Sequence, residues 1–382
     1  MQFIDLSAQR RRLGSRIDLA IARVLNHGRF ILGPEVGALE EQLQAFAGVR
    51  HCVTCANGTD ALELSLAALN IGLGDAVIAP AFSYVATAEA VVRVGAIPVF
   101  ADVDPISFNL SPRSAESAVR VAREQGLTPR CILAADLFGQ PADYSALRAL
   151  AKAHGLKLVA DAAQSFGAGC RGSKVGSLAD ISTTSFYPSK PLGCYGDGGA
   201  IFTDDADIAA TLRSLRCHGQ SSAGEGFARI GRNSRLDTIQ AAILLEKLSV
   251  FEGEIEARNA AAGRYAERLP PPIIAPKISA GGSSVWAQYT IKAPGMRDAV
   301  AVACGGAGVP TAIHYNTPLH RLAPYRNCPK AASRLETAEA LSRNVLSLPM
   351  HADLDERTQD IIIAAIQEAV IARAPEAIHA AT

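Results

Sequence analysis

The side chain whose setting most clearly suggests chemistry is Lys190. It follows the segment 182–186 and is flanked by Pro188 and Pro191. Only eight of the 37 basic residues are lysines, so the chain carries most of its positive charge on arginine. A primary amine, unlike a guanidinium group, can form a Schiff base with an aldehyde. Lys190 is therefore a candidate covalent ligand of a carbonyl compound.

Two upstream features complement this lysine. Asp161 ends the apolar run 157–161, where a carboxylate is costly unless it meets a positive partner such as a pyridinium nitrogen. Gly58 and Thr59 stand where a strand gives way to a helix, and the exposed N–H groups of such a turn can hold one phosphate. Lysine, aspartate and turn together match the aldehyde, the ring nitrogen and the phosphate of pyridoxal phosphate.

The elements that must position these residues alternate between apolar runs and helix-period segments from about residue 36 to residue 203. The runs are rich in Val, Ile and Leu without strict alternation, which is typical of strands buried on both faces. This pattern predicts an α/β domain with a mostly parallel sheet, whose ligands lie beyond the carboxyl ends of the strands. The seven predicted strands are His51–Ala56, Ala76–Ala79, Ile97–Val103, Cys131–Leu137, Lys157–Asp161, Ile181–Phe186 and Gly199–Thr203. The glycines at 193, 196, 198 and 199 are expected to let the backbone approach a ligand closely.

The rest of the chain predicts a second, smaller domain. Residues 236–269 contain few turn formers and predict one long helix, which ends before the three prolines 270–272. A strand at 286–292 and helices near 297–304, 331–345 and 356–373 then indicate an α+β unit. The predicted domains are residues 1–240 and 241–382.

Composition excludes several classes of protein. The 382 residues are 49% hydrophobic and 19% charged, enough apolar material for a sizeable core. Net charge is zero, which gives no general attraction to nucleic acid or to an anionic membrane, and no stretch predicts a transmembrane helix. Eight scattered cysteines without a signal peptide predict reduced thiols and a cytoplasmic location. No histidine pair has the spacing of a zinc site, so no metal is expected.

At this point the sequence resembles the DegT-type nucleotide-sugar aminotransferases, a branch of the fold-type I pyridoxal-phosphate enzymes. The most specific motifs are Asp161-Ala162-Ala163-Gln164 and Ser185-Phe186-Tyr187-Pro188-Ser189-Lys190, and the similarity runs through nearly the whole chain. The resemblance implies a large domain with a mostly parallel seven-stranded sheet and a smaller α+β C-terminal domain.

The resemblance also implies roles for individual residues. Lys190 would bind the cofactor covalently and move protons, and Asp161 would pair with the ring nitrogen. Gln164 and Tyr84 would lie against the ring. The phosphate would be held by Gly58, Thr59, Ser185 and, from the segment 231–235 of a neighbouring subunit, Asn233. A homodimer with shared active sites is therefore the expected assembly.

The implied amino donor is L-glutamate and the implied acceptor is a nucleotide-linked oxo sugar. Three arginines, at 229, 232 and 235, cluster in one loop, and at least one of them is expected to be structural. The small-domain strings 285–289, 312–315 and 318–320 resemble members that aminate the 3-oxo carbon of UDP-2-acetamido-2-deoxy-3-oxo-glucuronate, in the synthesis of O-antigen precursors. The expected sugar-binding residues are Arg235, His314, Tyr315 and His320, although Asn316 stands where proline is expected.

Other functions remain open at the level of sequence. The acceptor could be a dTDP-linked 3-oxo-6-deoxyhexose or a 4-oxo sugar. Dehydratases of this family carry histidine in place of Lys190, and a regulatory protein of the same fold would be expected to lose Lys190 or Asp161. A dinucleotide-binding oxidoreductase would need a GxGxxG motif after the first strand, and the sequence has none there.

Overall fold

The computed structural model describes residues 1–221 and 226–379. Its centre is a seven-stranded sheet in the order β1-β9-β8-β5-β4-β2-β3. The strands are β1 His51–Cys55, β2 Asp75–Pro80, β3 Ile97–Ala101, β4 Thr128–Ala135, β5 Lys157–Asp161, β8 Ile181–Ser185 and β9 Gly199–Thr203. Between β5 and β8 lies a small hairpin, formed by β6 Gly169–Cys170 and β7 Ser173–Lys174. All seven predicted strands are confirmed, and in this sheet β9 runs opposite to the other six strands.

Helices cover both faces of this sheet because alternate side chains of the buried strands point to opposite sides. Leu133 of β4 packs into one apolar cluster, and its neighbours Ile132 and Ala134 pack into the cluster on the other face. The helices of this part are α1 Leu6–Leu13, α2 Ser15–His27, α3 Pro34–Ala47, α4 Gly58–Ala68, α5 Ala86–Arg93, α6 Pro112–Glu124, α7 Tyr144–His154 and α8 Ala206–Arg216.

The single long helix predicted for residues 236–269 is wrong. Two helices replace it, α9 Thr238–Leu248 and α10 Phe251–Arg268, with a turn at Ser249 and Val250. α9 packs against α2 and α3, whereas α10 packs against the last helix of the chain. Because these partners lie in different parts of the molecule, one straight helix could not pack against both.

The C-terminal part has its own apolar core, around Tyr265, Tyr289 and Ile366. Its elements are β10 Tyr289–Lys292, α11 Arg297–Gly306, α12 Glu336–Asn344, β11 Val345–Leu348 and α13 Glu356–His379. β10 and β11 pair antiparallel in a separate two-stranded sheet. The domain boundary at residue 240 stays a prediction, and it falls inside α9, which packs on the first part of the chain.

Two further observations concern membrane-spanning helices and cysteines. None of the helices in residues 1–221 and 226–379 is long and apolar enough to cross a membrane. All eight cysteines are free thiols.

Candidate active site

A cavity of about 500 Å³ opens at the carboxyl ends of β4, β5 and β8. This volume lies in the range of pockets that bind cofactors and small substrates. Nine of the twelve predicted site residues line it, namely Gly58, Thr59, Tyr84, Asp161, Gln164, Ser185, Lys190, His314 and Tyr315. A polar cleft of similar size near Asp180 and Asp205 contains none of them.

Lys190 lies in the loop after β8, where its backbone N–H donates to the carbonyl of Tyr187 at 2.8 Å. Burial lowers the pKa of the Lys190 amine, and the negative charge of Asp161 opposes this shift. A lowered pKa increases the fraction of neutral amine, which is the form that attacks a carbonyl carbon. The surroundings of Lys190 therefore favour the covalent role predicted for it.

Asp161 ends β5, the strand next to β8, so it reaches the same edge of the sheet as Lys190. Its carboxylate accepts hydrogen bonds from the Thr87 hydroxyl at 3.0 Å and from the Ala163 N–H at 3.3 Å. Burial raises the pKa of Asp161, and these bonds and Lys190 act against the increase. No arginine or lysine of the described residues lies within ion-pair distance of Asp161. A protonated ring nitrogen fits this carboxylate as the missing cation.

The first turn of α4 forms a cradle suited to a phosphate. Asn57 caps the helix, because its side-chain oxygen accepts from the Asp60 N–H at 2.8 Å. The first-turn amides, including those of Gly58 and Thr59, have no acceptor within the helix and lie at the positive end of its dipole. A Cβ at Gly58 would lie 2.7 Å from the Cβ of Ser185, so glycine is required for this close approach. The cradle, Lys190 and Asp161 thus fit the phosphate, the aldehyde and the ring nitrogen of pyridoxal phosphate.

Gln164 lines the cavity and is hydrogen-bonded to the C-terminal part of the chain. Its side-chain oxygen accepts from the Phe138 N–H at 2.8 Å, and its amide donates to the Tyr315 hydroxyl at 3.1 Å. The ring of Tyr315 lies 6.1 Å from the ring of Tyr84, centroid to centroid. His314 is held by the Ser347 hydroxyl, 2.9 Å from its Nδ1. Side chains of both parts of the chain therefore line one cavity.

The three remaining predicted residues lie outside this cavity. Asn233 is exposed on its loop, and Arg235 is half-buried with its Nε hydrogen-bonded to nothing among the described residues. Both belong to the segment expected to reach another subunit. Arg232 of the same loop forms an ion pair with the buried Glu63, so it is the structural arginine that the sequence led us to expect.

His320 does not line the cavity that contains His314 and Tyr315. It is buried in a short helical turn, Leu319–Arg321, with its Nε2 3.4 Å from a carboxylate oxygen of Glu339. Arg321 and Arg334 bind the same carboxylate. His320 is part of this ion network, and its role in binding the sugar stays a prediction.

Two residues of the site were missed by the sequence analysis. Thr87 of α5 donates to Asp161, but nothing in the sequence around it indicates a contact across 74 positions. Asp136 borders the cavity immediately after β4. Its signal was the same as that of Asp161, a carboxylate at the end of an apolar run. No cluster of metal-binding side chains occurs in the described part of the chain.

Comparison with known proteins places these features in a family. Residues 12–367 match the model of the DegT/DnrJ/EryC1/StrS aminotransferase family. The chain is 46% identical over 369 residues to the UDP-2-acetamido-2-deoxy-3-oxo-D-glucuronate aminotransferase of Pseudomonas aeruginosa, covering 96% of this chain and 99% of that protein. It is 42% identical over 356 residues to a UDP-N-acetyl-3-dehydro-alpha-D-glucosamine 3-aminotransferase of Acidithiobacillus ferrooxidans, covering 92% and 93% of the two chains.

A solved structure agrees with this result. The structure of this chain superposes with a TM-score of 0.90 on the crystal structure of S. venezuelae DesV in complex with a ketimine intermediate, at 37% identity. The match covers 96% of this chain and 97% of DesV. Pyridoxal phosphate is thus the cofactor, and the expected fold class is confirmed.

Proposed function

This chain belongs to the DegT/DnrJ/EryC1/StrS aminotransferase family, and we propose that it moves the amino group of L-glutamate to the 3-oxo carbon of UDP-2-acetamido-2-deoxy-3-oxo-D-glucuronate. The observation that carries the proposal is the single cavity in which Lys190, Asp161 and the α4 cradle meet His314 and Tyr315. The product would be a precursor of O-antigen or a similar polysaccharide. The same proposal places the protein in the cytoplasm, where its free cysteines stay reduced.

Some residues of the cavity bind the cofactor, and Lys190 also transfers a proton. Bound pyridoxal phosphate supplies an aldehyde that captures amines and a ring that takes up the electrons released when a Cα proton leaves. Lys190 holds the cofactor, and its freed amine then moves the proton at the substrate Cα. Ionised Asp161 keeps the positive charge on the ring nitrogen, and Thr87 orients the Asp161 carboxylate.

The other side chains fix the position of the cofactor. Gly58, Thr59 and Ser185 bind the phosphate, and Gln164 and Tyr84 lie against the ring. Because His314 and Tyr315 line the cavity from the C-terminal part of the chain, they are placed to contact the sugar.

A homodimer with shared sites is part of the proposal. Asn233 and Arg235 lie outside their own chain's cavity, which supports a role for them in the site of a partner. Their loop also exposes large apolar side chains, with Phe227 73% and Ile230 96% accessible. Exposed apolar side chains of this size are typical of surfaces that another chain covers. From the partner, Asn233 would complete the phosphate site and Arg235 would bind the sugar's carboxylate.

The reverse reaction tests the substrate because the oxo sugars are unstable. The protein is incubated with 2-oxoglutarate and either the UDP-3-amino uronate or a dTDP-3-amino-6-deoxyhexose, and glutamate is measured. We expect glutamate from the uronate, and a loss of that activity in Arg235→Ala with the cofactor still bound. Glutamate from the deoxyhexose alone would refute the uronate, and glutamate from neither sugar would point to a 4-amino sugar.

A further inference from the structure

A second buried carboxylate lies beside the cofactor-binding carboxylate. Asp136 directly follows β4, and its backbone N–H donates to the carbonyl oxygen of Asp161 at 3.0 Å. It is only 1% exposed, and no lysine or arginine of the described residues lies within ion-pair distance of it. Burial raises the pKa of Asp136 to about 7. A buried carboxylate without a cation is costly, so what it contacts is informative.

Both oxygens of Asp136 accept hydrogen bonds from neighbouring segments. One oxygen accepts from the Ala142 N–H at 2.8 Å and from the Tyr144 hydroxyl at 2.7 Å. The other accepts from the Ser165 hydroxyl at 2.7 Å. Both oxygens of Asp136 are thus engaged by the protein itself, although the residue borders the cavity.

Ser165 belongs to the turn that follows Asp161. The turn is closed by a hydrogen bond from the Ser165 N–H to the carbonyl of Ala162 at 3.1 Å. Gln164 of the same turn accepts from the N–H of Phe138, two residues after Asp136. The segment 136–138 therefore holds the turn at two successive residues, Gln164 and Ser165.

We propose that Asp136 is a positioning residue, which fixes the turn 161–165 through Ser165 and so sets the orientation of Gln164 and Asp161 toward the cofactor ring. This inference rests on the proposed placement of the ring over Asp161 and Gln164. An ionised carboxylate suits the task better than an amide, because it only accepts hydrogen bonds. The Ser165 and Tyr144 hydroxyls must then both donate to it, which fixes their orientation.

The two hydroxyls give a matched pair of variants. Ser165→Ala and Tyr144→Phe each remove one donor from the same carboxylate, but only Ser165 lies on the cofactor-binding turn. We expect Ser165→Ala to bind pyridoxal phosphate up to about tenfold more weakly, because the loosened turn must then be ordered when the cofactor binds, at a cost limited by the energy of the lost hydrogen bond. In the apo-protein, hydrogen exchange should quicken at residues 136–140 and 162–166. Tyr144→Phe should leave the affinity and the exchange of these segments unchanged and lower only the Tm.

Asp136→Asn provides a second route to the same result. An amide can still accept from Tyr144, but it turns an NH2 group toward Ser165. We expect it to weaken cofactor binding as Ser165→Ala does, and the double variant to be no weaker than either single one. If Ser165→Ala does not fold, Asp136→Asn is judged by the same two measurements.

Two results would overturn the inference. One is wild-type affinity and exchange in Ser165→Ala or Asp136→Asn, and the other is an equal loss of affinity in Ser165→Ala and Tyr144→Phe. Neither result touches the proposed function if the wild-type protein binds pyridoxal phosphate and transaminates the uronate. The failure of the positioning role and the failure of the function are thus distinguishable.

Discussion

Gly58 offers the most direct test of the phosphate cradle. In Gly58→Ala, the new Cβ would lie 2.7 Å from the Cβ of Ser185 and 3.2 Å from its Oγ. Carbon atoms prefer a separation of about 3.5–4.0 Å, so either the first turn of α4 or Ser185 must move by roughly 1 Å. The backbone of Gly58 is not in the left-handed region, so alanine itself introduces no strain there.

The expected effect on cofactor affinity follows from what this displacement breaks. Moving Ser185 away from the helix removes a hydrogen bond to a charged phosphate, which is worth about 1.5–3 kcal/mol. That energy corresponds to a loss of roughly 10- to 150-fold in affinity. The folded protein should suffer less, because overpacking costs about 1–3 kcal/mol, while alanine is favoured over glycine in a helix by up to about 1 kcal/mol.

The assay is a titration of the apo-protein with pyridoxal phosphate, followed by visible absorbance. Gly263→Ala is the matched control, because Gly263 lies in α10 and its added Cβ would meet nothing within 4 Å. We expect unchanged affinity for this control, and weakened binding for Ser185→Ala, which removes the hydroxyl without a clash. Wild-type affinity in Gly58→Ala would show that the phosphate lies elsewhere.

Further predictions concern catalysis, assembly and stability. Lys190→Ala should lose the visible absorbance of the protein–cofactor link and essentially all transamination, since the loss of general acid–base catalysis alone costs about 10²–10⁴-fold. Asp161→Asn should keep some cofactor while its turnover collapses, because a neutral amide cannot hold a pyridinium. A label on another lysine after borohydride reduction, or near-normal turnover in the asparagine variant, would contradict these roles. Mixing inactive Lys190→Ala and Asn233→Ala protomers should restore part of the activity, and no recovery after subunit exchange would mean that Asn233 serves its own chain. Burial lowers the pKa of Lys247 from its ordinary value of 10.5 to about 8. The stability that comes from keeping this amine neutral is therefore present above pH 10.5 and is lost as the pH falls through 8, because the buried amine must then take up a proton. In urea unfolding, the free energy of unfolding of Lys247→Met should therefore rise relative to that of the wild type by about 3 kcal/mol as the pH falls from 10.5 to 7. A difference that stays constant with pH would contradict the lowered pKa.

The strands and the reactive residues were predictable because their signals are local. A strand buried on both faces is a continuous apolar run, and a polar residue at the end of such a run lies at the ligand edge of a parallel sheet. Asp161 ends a strand in this way, and Gly58 and Lys190 follow strands. Asp136 had the same signal, but it was included in the apolar run 131–137 and so was overlooked.

The features that the sequence did not predict depend on tertiary packing. The turn between α9 and α10 contains neither glycine nor proline, so no local signal marks it in the sequence. The chain turns there because the two helices pack against different partners. The strand predicted from Trp286 begins only at Tyr289, since Trp286 adopts a positive φ of 48°. His320 lies in a loop whose side-chain directions depend on Glu339, 19 positions away.

One glycine near Lys190 has a role that the sequence did not predict. The glycines are expected to let the backbone approach a ligand, and Gly199 also allows close packing within the sheet. Gly199 of β9 is paired with Cys55 at the end of β1 and with Ser185 at the end of β8. A Cβ there would lie 2.6 Å from the carbonyl oxygen of Asn57. Because Gly199 has no side chain, the backbone of Asn57, which follows β1, can lie close to it. The residues that follow β1 and β8, Gly58 on one side and the Lys190 loop on the other, then face the same cavity.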